Sequence, residues 1–375
     1  MIDNLSFVFG RGLRHLFHRV AQVDIVILSV VVLISTIGFI ALFSASYSMP
    51  WRMEDQIRNL AVAALVLFFM MCLPMKALAR IAVPLFILGC VLLLMTHLFG
   101  ITVKGATRWL NVGVRIQPSE IMKLTTPLML AWYYQKRGEA TCLLDHAFAL
   151  VLLLIPVGFI LKQPDLGTAI LVAIAGLSVV FFAGLNLKII VGAVSAFVLS
   201  LPLIWTMLHD YQQERILTLL DPSRDPLGKG FHINQALIAI GSGGFWGKGW
   251  MEGTQAHLDF IPERTSDFLF AVYSEEFGFV GNVILLILYA ILIGRSFYIA
   301  AYATNRFSRL LAGAIGSIFF TYTFVNMGMV SGILPVVGVP LPFMSYGGTA
   351  LMILGICSGI LLSISAETQQ RSQTK

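Results

Sequence analysis

Ten of the nineteen acidic residues in this 375-residue chain fall between Asp210 and Glu276. Among them are Asp221, Asp225, Glu252, Asp259, Glu263, Asp267, Glu275 and Glu276, and the last of these run straight into an apolar segment that begins at Phe268. A carboxylate at the edge of such a segment must face water, a counter-charge or a substrate, because burying it in a bilayer costs about 2.5–3.5 kcal/mol at a helix centre on insertion scales. Asp267 is therefore the first candidate for proton-transfer chemistry.

A second set of candidates lies upstream. Gln117-Pro118-Ser119-Glu120 opens an apolar run, and Lys123 follows Glu120 by three residues, which puts both on one helix face. Ser119 as a cap and Glu120 at the positive helix terminus give a plain structural account. A charged pair lining a polar cavity within the membrane is the functional one. Gln163-Pro164-Asp165-Leu166-Gly167-Thr168 reads as a tight reversal in which Asp165 can cap the next helix. Arg108 and Arg115 are cations that could meet a pyrophosphate, although a solvated surface arginine is the commoner case. Pro335, Gly338, Pro340 and Pro342, then Ser345-Tyr346-Gly347-Gly348, break the backbone before the last apolar run. Irregular backbone at membrane depth is tolerated only where it is buried or lines a cavity, so this segment is expected to wall the site. Asn326, inside an apolar run, reads as an interhelical hydrogen bond in preference to another cavity residue.

These residues are carried by a very apolar chain: 58% hydrophobic, 12% charged, mean hydropathy +0.86. Apolar runs recur at 25–45, 59–73, 81–99, 120–134, 146–161, 168–183, 189–207, 268–294, 310–331 and 344–364. With about 20 residues needed to cross a bilayer, they predict an all-α polytopic membrane protein of about ten spans, since only helices and closed barrels satisfy the backbone in lipid. Ser44-Ala45-Ser46 resembles a cleavage site, but the apolar core before it is too long for a signal peptide, so the first run is read as a retained anchor. With the N-terminus inside, inner segments hold thirteen Lys and Arg and the short outer segments six. Both termini are thus expected in the cytoplasm, with 208–267 as one long extracytoplasmic loop and 1–375 as a single membrane domain.

Within that loop, Phe231 to Ile240 has helical spacing, and the glycines at 241, 243, 244, 247 and 249 read as turns in preference to a close backbone approach. The net charge of +6 restates the inner bias; no basic stripe with aromatic platforms points to nucleic acid. Cys72, Cys90, Cys142 and Cys357 show neither an outer disulfide framework nor metal-ligand spacing. No internal repeat of the secondary-transporter kind is visible.

Seven segments together resemble one family: FSAS at 43–46, KGATRWL at 104–110, QPSE at 117–120, QPDLGT at 163–168, DPLGKGFH at 225–232, PERTSDF at 262–268 and LPFMSYGG at 341–348. In order and spacing, from Asp24 to Ile364, they are similar to the shape, elongation, division and sporulation proteins, bacterial enzymes akin to GT-C glycosyltransferases that polymerise lipid II into peptidoglycan. Gly241-Ser242-Gly243-Gly244, Gly247-Lys248-Gly249-Trp250 and the 335–340 segment look more like the elongation members than the division members. The resemblance implies that Asp267 is the catalytic acid at the outer face, that Glu120 and Lys123 line the cavity beside it, and that Arg108, Gln163, Asp165 and Ser345 border the substrate. It also implies a place in the bacterial cytoplasmic membrane, and a class B penicillin-binding transpeptidase and other elongation-complex membrane proteins as partners. The charge on a leaving pyrophosphate would call for Arg or Lys, or else a divalent cation, Mg or Mn, opposite Asp267. One departure stands out: where the family often has His-Thr before the Asp-Phe pair, this chain has Thr265-Ser266.

Two other readings use the same residues. A lipid II flippase would also need a polar cavity open to lipid, but has no use for a base fixed on one side, so the outer acid cluster favours an enzyme. A scaffold for wall-synthesis complexes would leave Asp267 free to vary.

Overall fold

The computed structural model describes residues 22–103, 106–111, 115–138, 142–207, 213–214, 217–219, 221, 229–258, 260–261 and 263–373. Ten helices occupy the ten predicted runs: α1 (Ile25–Ala45), α2 (Trp51–Cys72), α3 (Met75–Phe99), α4 (Pro118–Arg137), α5 (Leu143–Lys162), α6 (Leu166–Phe182), α7 (Leu187–Met207), α10 (Leu269–Tyr302), α11 (Arg306–Val330) and α12 (Gly348–Gln373). Seven of them are long and apolar enough to cross a membrane. The predicted limits are short where a helix continues into polar sequence: α2 starts at Trp51 and includes Arg52, Glu54 and Asp55, and α3 starts at Met75, directly after Pro74, which holds the N-cap position in extended backbone, and includes Lys76 and Arg80. Asp24 caps α1 by accepting the Ile27 N–H at 3.2 Å.

Burial grades the helices by role. In α2 and α3 about a quarter of the apolar window is buried, whereas α11 and α12 are buried over about four-fifths of theirs. α4 is the least apolar of the ten and among the most buried, with Glu120, Lys123, Thr125 and Thr126 all inside. It packs against α3, α5, α6 and α11, which makes it a central post.

Two features go beyond the apolar pattern. A small antiparallel sheet, β1 (Ile101–Val103), β2 (Ala106–Asn111) and β3 (Arg115–Ile116) in the order β1-β2-β3, joins α3 to α4; Thr102 faces Thr107 and Leu110 faces Ile116. It fixes Arg108 on a strand. In the 208–267 segment, part of which lies outside the described residues, α8 (Lys229–Ser242) covers the expected helix and a short α9 (Thr254–His257) follows.

The glycine run between α8 and α9 makes turns and, in addition, a close approach to the chain's own backbone. α10 kinks at Gly278, φ 65, and the glycine run supplies the hydrogen bonds that the kink exposes: Lys248 N–H donates to Glu275 O at 3.0 Å and Gly249 N–H to Glu276 O at 3.1 Å, while Phe279 N–H donates to Gly244 O at 3.0 Å. A Cβ at Gly247 or Gly278 would collide with the facing backbone. Glu275, fully buried, accepts from Lys248 Nζ at 2.6 Å and from the N–H and hydroxyl of Thr254, each at 3.0 Å. Two members of the acid cluster thus serve structure: Glu275 holds the loop on α10, and Glu276 meets the Ser44 hydroxyl at the end of α1.

Candidate active site

Asp267 sits on the turn that enters α10, half-buried, and the turn is fastened on several sides. Arg264 is 4% exposed and donates to Ala45 O and to Ser48 Oγ, both at 2.7 Å, tying the turn to the end of α1. The Arg52 guanidinium meets the Thr265 hydroxyl, and Tyr346 N–H donates to Thr265 O at 2.9 Å. Ser266 Oγ donates to Glu263 Oε2 at 3.1 Å. Thr265 and Ser266, the departure from the family pair, therefore shape the turn. Asn326 completes the clamp: its amide donates to Asp267 O at 2.9 Å and to Val339 O at 2.7 Å, binding the catalytic candidate to the irregular 335–342 segment. The hydrogen bonds of Asn326 thus run from α11 to a turn and to the irregular segment, in place of the expected interhelical bond.

The irregular segment walls this place, as expected from its prolines. Tyr289 hydroxyl donates to Pro342 O at 2.7 Å and Leu341 N–H donates to Ser345 Oγ at 2.9 Å. Ser345 is buried and lies within this turn. At Gly338, φ 77, a Cβ would lie 3.3 Å from Asp267 Oδ2, so the bare glycine lets the carboxylate come up against the segment.

Glu120 and Lys123 form the pair that their spacing requires: Lys123 Nζ donates to Glu120 Oε1 at 2.5 Å, with both residues buried. The same ammonium donates to Tyr322 hydroxyl at 2.7 Å. Tyr322 and Asn326 are four residues apart on α11, on one face and about 6 Å apart along the axis. α11 thus connects the buried ion pair to the Asp267 clamp. Ser119 does not cap α4: Gln117 holds the N-cap position with no cap hydrogen bond, and Pro118 fills N1, where no N–H is needed. Ser119 Oγ accepts from Gln117 Nε2 at 3.1 Å.

Arg108, Gln163 and Asp165 come together at a third corner. Arg108 donates to Pro164 O at 2.5 Å and stands 3.8 Å from Asp165 Oδ1. Asp165 caps α6 through Thr168 N–H at 3.2 Å, as expected, and accepts from Gln117 Nε2 at 3.2 Å. Gly167, two residues on, packs against Val337 O, which brings this corner to the same irregular segment as Asp267.

Three buried acceptors in this region have no hydrogen-bond partner among the described residues: Glu120 Oε2, Gln163 Oε1 and Asn326 Oδ1. Buried polar atoms are nearly always satisfied, and these lie on α4, on the α5–α6 reversal and on α11, the elements that surround the site. Of the residues involved, Arg264 and Tyr346 stand inside the quoted motifs without a role read for them, and Arg52 and Tyr322 carried no signal beyond their polarity, because the partners of all four are distant in the chain. Tyr322 with Asn326 at i, i+4 in an apolar helix is the one pattern that could have marked a polar face.

Among the described residues no three His, Cys, Asp or Glu side chains are placed to hold a metal ion. Asp267 offers one carboxylate, which fits magnesium only as one ligand beside phosphate oxygens and water.

Residues 19–370 match the FtsW/RodA/SpoVE family of cell cycle proteins. The chain is 47% identical over 337 residues, 89% of its length and 91% of the relative's, to the peptidoglycan glycosyltransferase MrdB of Escherichia coli K12. Among solved structures it superposes on a chain from a study of how a peptidoglycan synthase complex coordinates polymerization and crosslinking, with TM-score 0.80 and 32% identity, covering 93% of this chain and 99% of that one. It also superposes on the rod shape determining protein RodA of Thermus thermophilus, with TM-score 0.69 and 28% identity, covering 93% and 97%. An all-α polytopic membrane fold, seven motifs in order and a match over nearly the whole length agree, and the chain belongs to the FtsW/RodA/SpoVE family.

Proposed function

We propose that this protein is a peptidoglycan glycosyltransferase that polymerises lipid II into β-1,4 glycan strands during cell elongation. The relationship to MrdB and RodA supports the activity and its cellular role. The observation that carries the site is the half-buried Asp267 on a turn fastened by Asn326, Arg264 and Tyr346 and set against Gly338 of the irregular segment, a fixed carboxylate able to take a proton.

The reaction inverts an α-linked sugar pyrophosphate. The acceptor 4-hydroxyl oxygen forms a bond to the anomeric carbon as the bond from that carbon to the pyrophosphate oxygen breaks. Asp267 takes the hydroxyl proton, and undecaprenyl pyrophosphate leaves with the electron pair of the broken bond. Its growing charge needs cationic donors fixed in advance. Arg108, at the Asp165 corner, and Arg52, held against Thr265 beside Asp267, are the cations assigned this role. Lys123 is committed to Glu120 in the buried pair. Asp267 would be the one residue among those described to hold a magnesium or manganese ion, which when bound would supply further charge neutralisation. An apolar groove of about 410 Å³ beside the same corner, lined by Ile170, Ile174, Phe320, Phe324, Leu334 and Val337, fits a stretch of polyprenyl chain.

In this reading the 208–267 loop is extracytoplasmic, both termini are cytoplasmic in the bacterial inner membrane, and a class B penicillin-binding transpeptidase crosslinks the strands in the same complex. The test is polymerisation of labelled lipid II by the purified protein, alone and with its transpeptidase. Strands of several disaccharides support the assignment; movement of lipid II between leaflets of vesicles with no polymer formed would return it to a flippase. Impermeant thiol labelling of a cysteine introduced in the loop, but not of one near Arg306, tests the orientation separately.

A further inference from the structure

At the end of the molecule opposite the site, α3 begins and α4 ends side by side, and between them lies a pocket of about 410 Å³ lined by Lys76, Ala79, Arg80, Trp132, Gln135 and Lys136. Lys76 and Arg80 are one helical turn apart on α3, and Lys136 reaches the same hollow from the last turn of α4. All three cations are exposed, and none has an ion pair or side-chain hydrogen bond to another described residue. The neighbouring Arg137 behaves differently: it stands 3.1 Å from Asp145 and over the Tyr133 ring. The nearby carboxylate, Glu367, accepts the Met75 N–H at 2.9 Å. A general surplus of inner basic residues explains three cations at this level. It does not explain their convergence from two helices on one concave site with an indole in its wall.

We propose that this pocket binds the headgroup of an anionic phospholipid in the cytoplasmic leaflet. Three unengaged cations answer one or two phosphates, and Trp132, half-buried, offers the amphipathic ring that sits at headgroup depth. α4 then joins the two ends of the molecule. Its last turn would meet the lipid, and its first turns carry Glu120 and Lys123. A bound headgroup would fix the cytoplasmic end of the helix that carries the buried pair. The inference rests on the inside orientation proposed above, which the thiol-labelling experiment judges independently of any lipid result.

The test is native mass spectrometry of the full-length protein in detergent with added phosphatidylethanolamine, phosphatidylglycerol or cardiolipin. Phosphatidylglycerol and cardiolipin are expected to be retained in preference to phosphatidylethanolamine. Each cation replaced by Gln should weaken retention about fivefold, and Lys76→Gln, Arg80→Gln and Lys136→Gln together on the order of 100-fold. Lys76→Arg with Lys136→Arg keeps the charge and should keep the lipid. If the triple variant does not fold, the three single variants decide the question through the product of their losses. Equal retention of the neutral and anionic lipids, or unchanged retention in the folded Gln variants, would overturn the assignment. Displacement of the lipid by millimolar inorganic phosphate would also overturn it, since a free anion would then suffice.

Discussion

The turn that carries Asp267 is fastened through backbone carbonyls and neighbouring side chains, whereas Glu120 and Lys123 are held through their own side chains. The bonds that fasten the Asp267 turn run through the Asp267 and Thr265 carbonyls and the Arg264 and Thr265 side chains, and Asp267 itself is only half-buried. Glu120 and Lys123 spend their charges on each other and on Tyr322, inside the protein. The difference separates two kinds of work. A base must be fixed by bonds that persist while its carboxylate gains and loses a proton, and backbone bonds meet that need. A buried pair does the reverse, holding α4 against α11 through Tyr322 and leaving one oxygen, Glu120 Oε2, with no hydrogen-bond partner among the described residues.

On that division, Asp267→Asn should separate activity from stability completely. The amide keeps the volume and the backbone clamp, so thermal unfolding in detergent should move little. Lipid II polymerisation should fall by about 10²- to 10⁴-fold, the usual contribution of a general acid or base. Strand synthesis at the native rate by a well-folded Asn variant would end the assignment.

The buried pair should respond in the opposite manner. Glu120→Ala or Lys123→Ala leaves an uncompensated charge and should cost about 3–5 kcal/mol, read as a large fall in unfolding temperature, while the double replacement should recover part of that loss. A double-mutant cycle on stability measures the coupling, and activity in the same preparations should stay low in the double variant because the polar lining is gone. Additive stability losses would show that the two residues do not act as a unit.

Asn326 belongs to both regions, one turn from Tyr322 and bonded to two carbonyls, and so it sharpens the comparison. Asn326→Leu removes both donors and leaves the carbonyls of Asp267 and Val339 wanting, at about 1–3 kcal/mol for a buried unsatisfied group. Because the turn would loosen, activity should fall further than stability predicts, on the order of 10²-fold for a misplacement near 1 Å. An activity loss that merely tracks the unfolded fraction would make Asn326 a packing residue.

How much of this is legible in the sequence depends on where each partner lies. The existence of all ten long helices follows from apolar runs. Their ends do not, since α2 and α3 continue into charged residues whose environment the sequence leaves open. The strands around Arg108 are too short for a period-2 pattern to stand out. Asp267 is legible because an acid abuts an apolar segment, and Glu120 with Lys123 because helical spacing is local. The Tyr322 contact, the Arg52 contact and the carbonyls held by Asn326 join residues 59 to 213 positions apart, or 13 apart from α11 to the irregular segment, where no periodicity speaks. The glycine run illustrates the same limit: its turns are readable, but its fit against the Gly278 kink requires knowing that α10 bends there.

The smallest effect expected, and the most discriminating, is that of Gly338→Ala. At φ 77 an L-residue costs about 1–2 kcal/mol, and the added methyl would stand 3.3 Å from Asp267 Oδ2, tighter than most such contacts. The Glu120–Lys123–Tyr322 cluster makes no contact with this residue among those described, so its coupling energy should be unchanged when the cycle is repeated on the Gly338→Ala background. Polymerisation should drop by roughly tenfold, because the methyl presses on the carboxylate itself while the carbonyl clamp through Asn326 remains. The stability loss should match the backbone strain alone. If the substitution left the rate untouched, the 335–342 segment would be a wall that Asp267 does not touch during turnover. If it weakened the Glu120–Lys123 coupling as well, the two regions would be a single mechanical unit and the division of work drawn between them would fail.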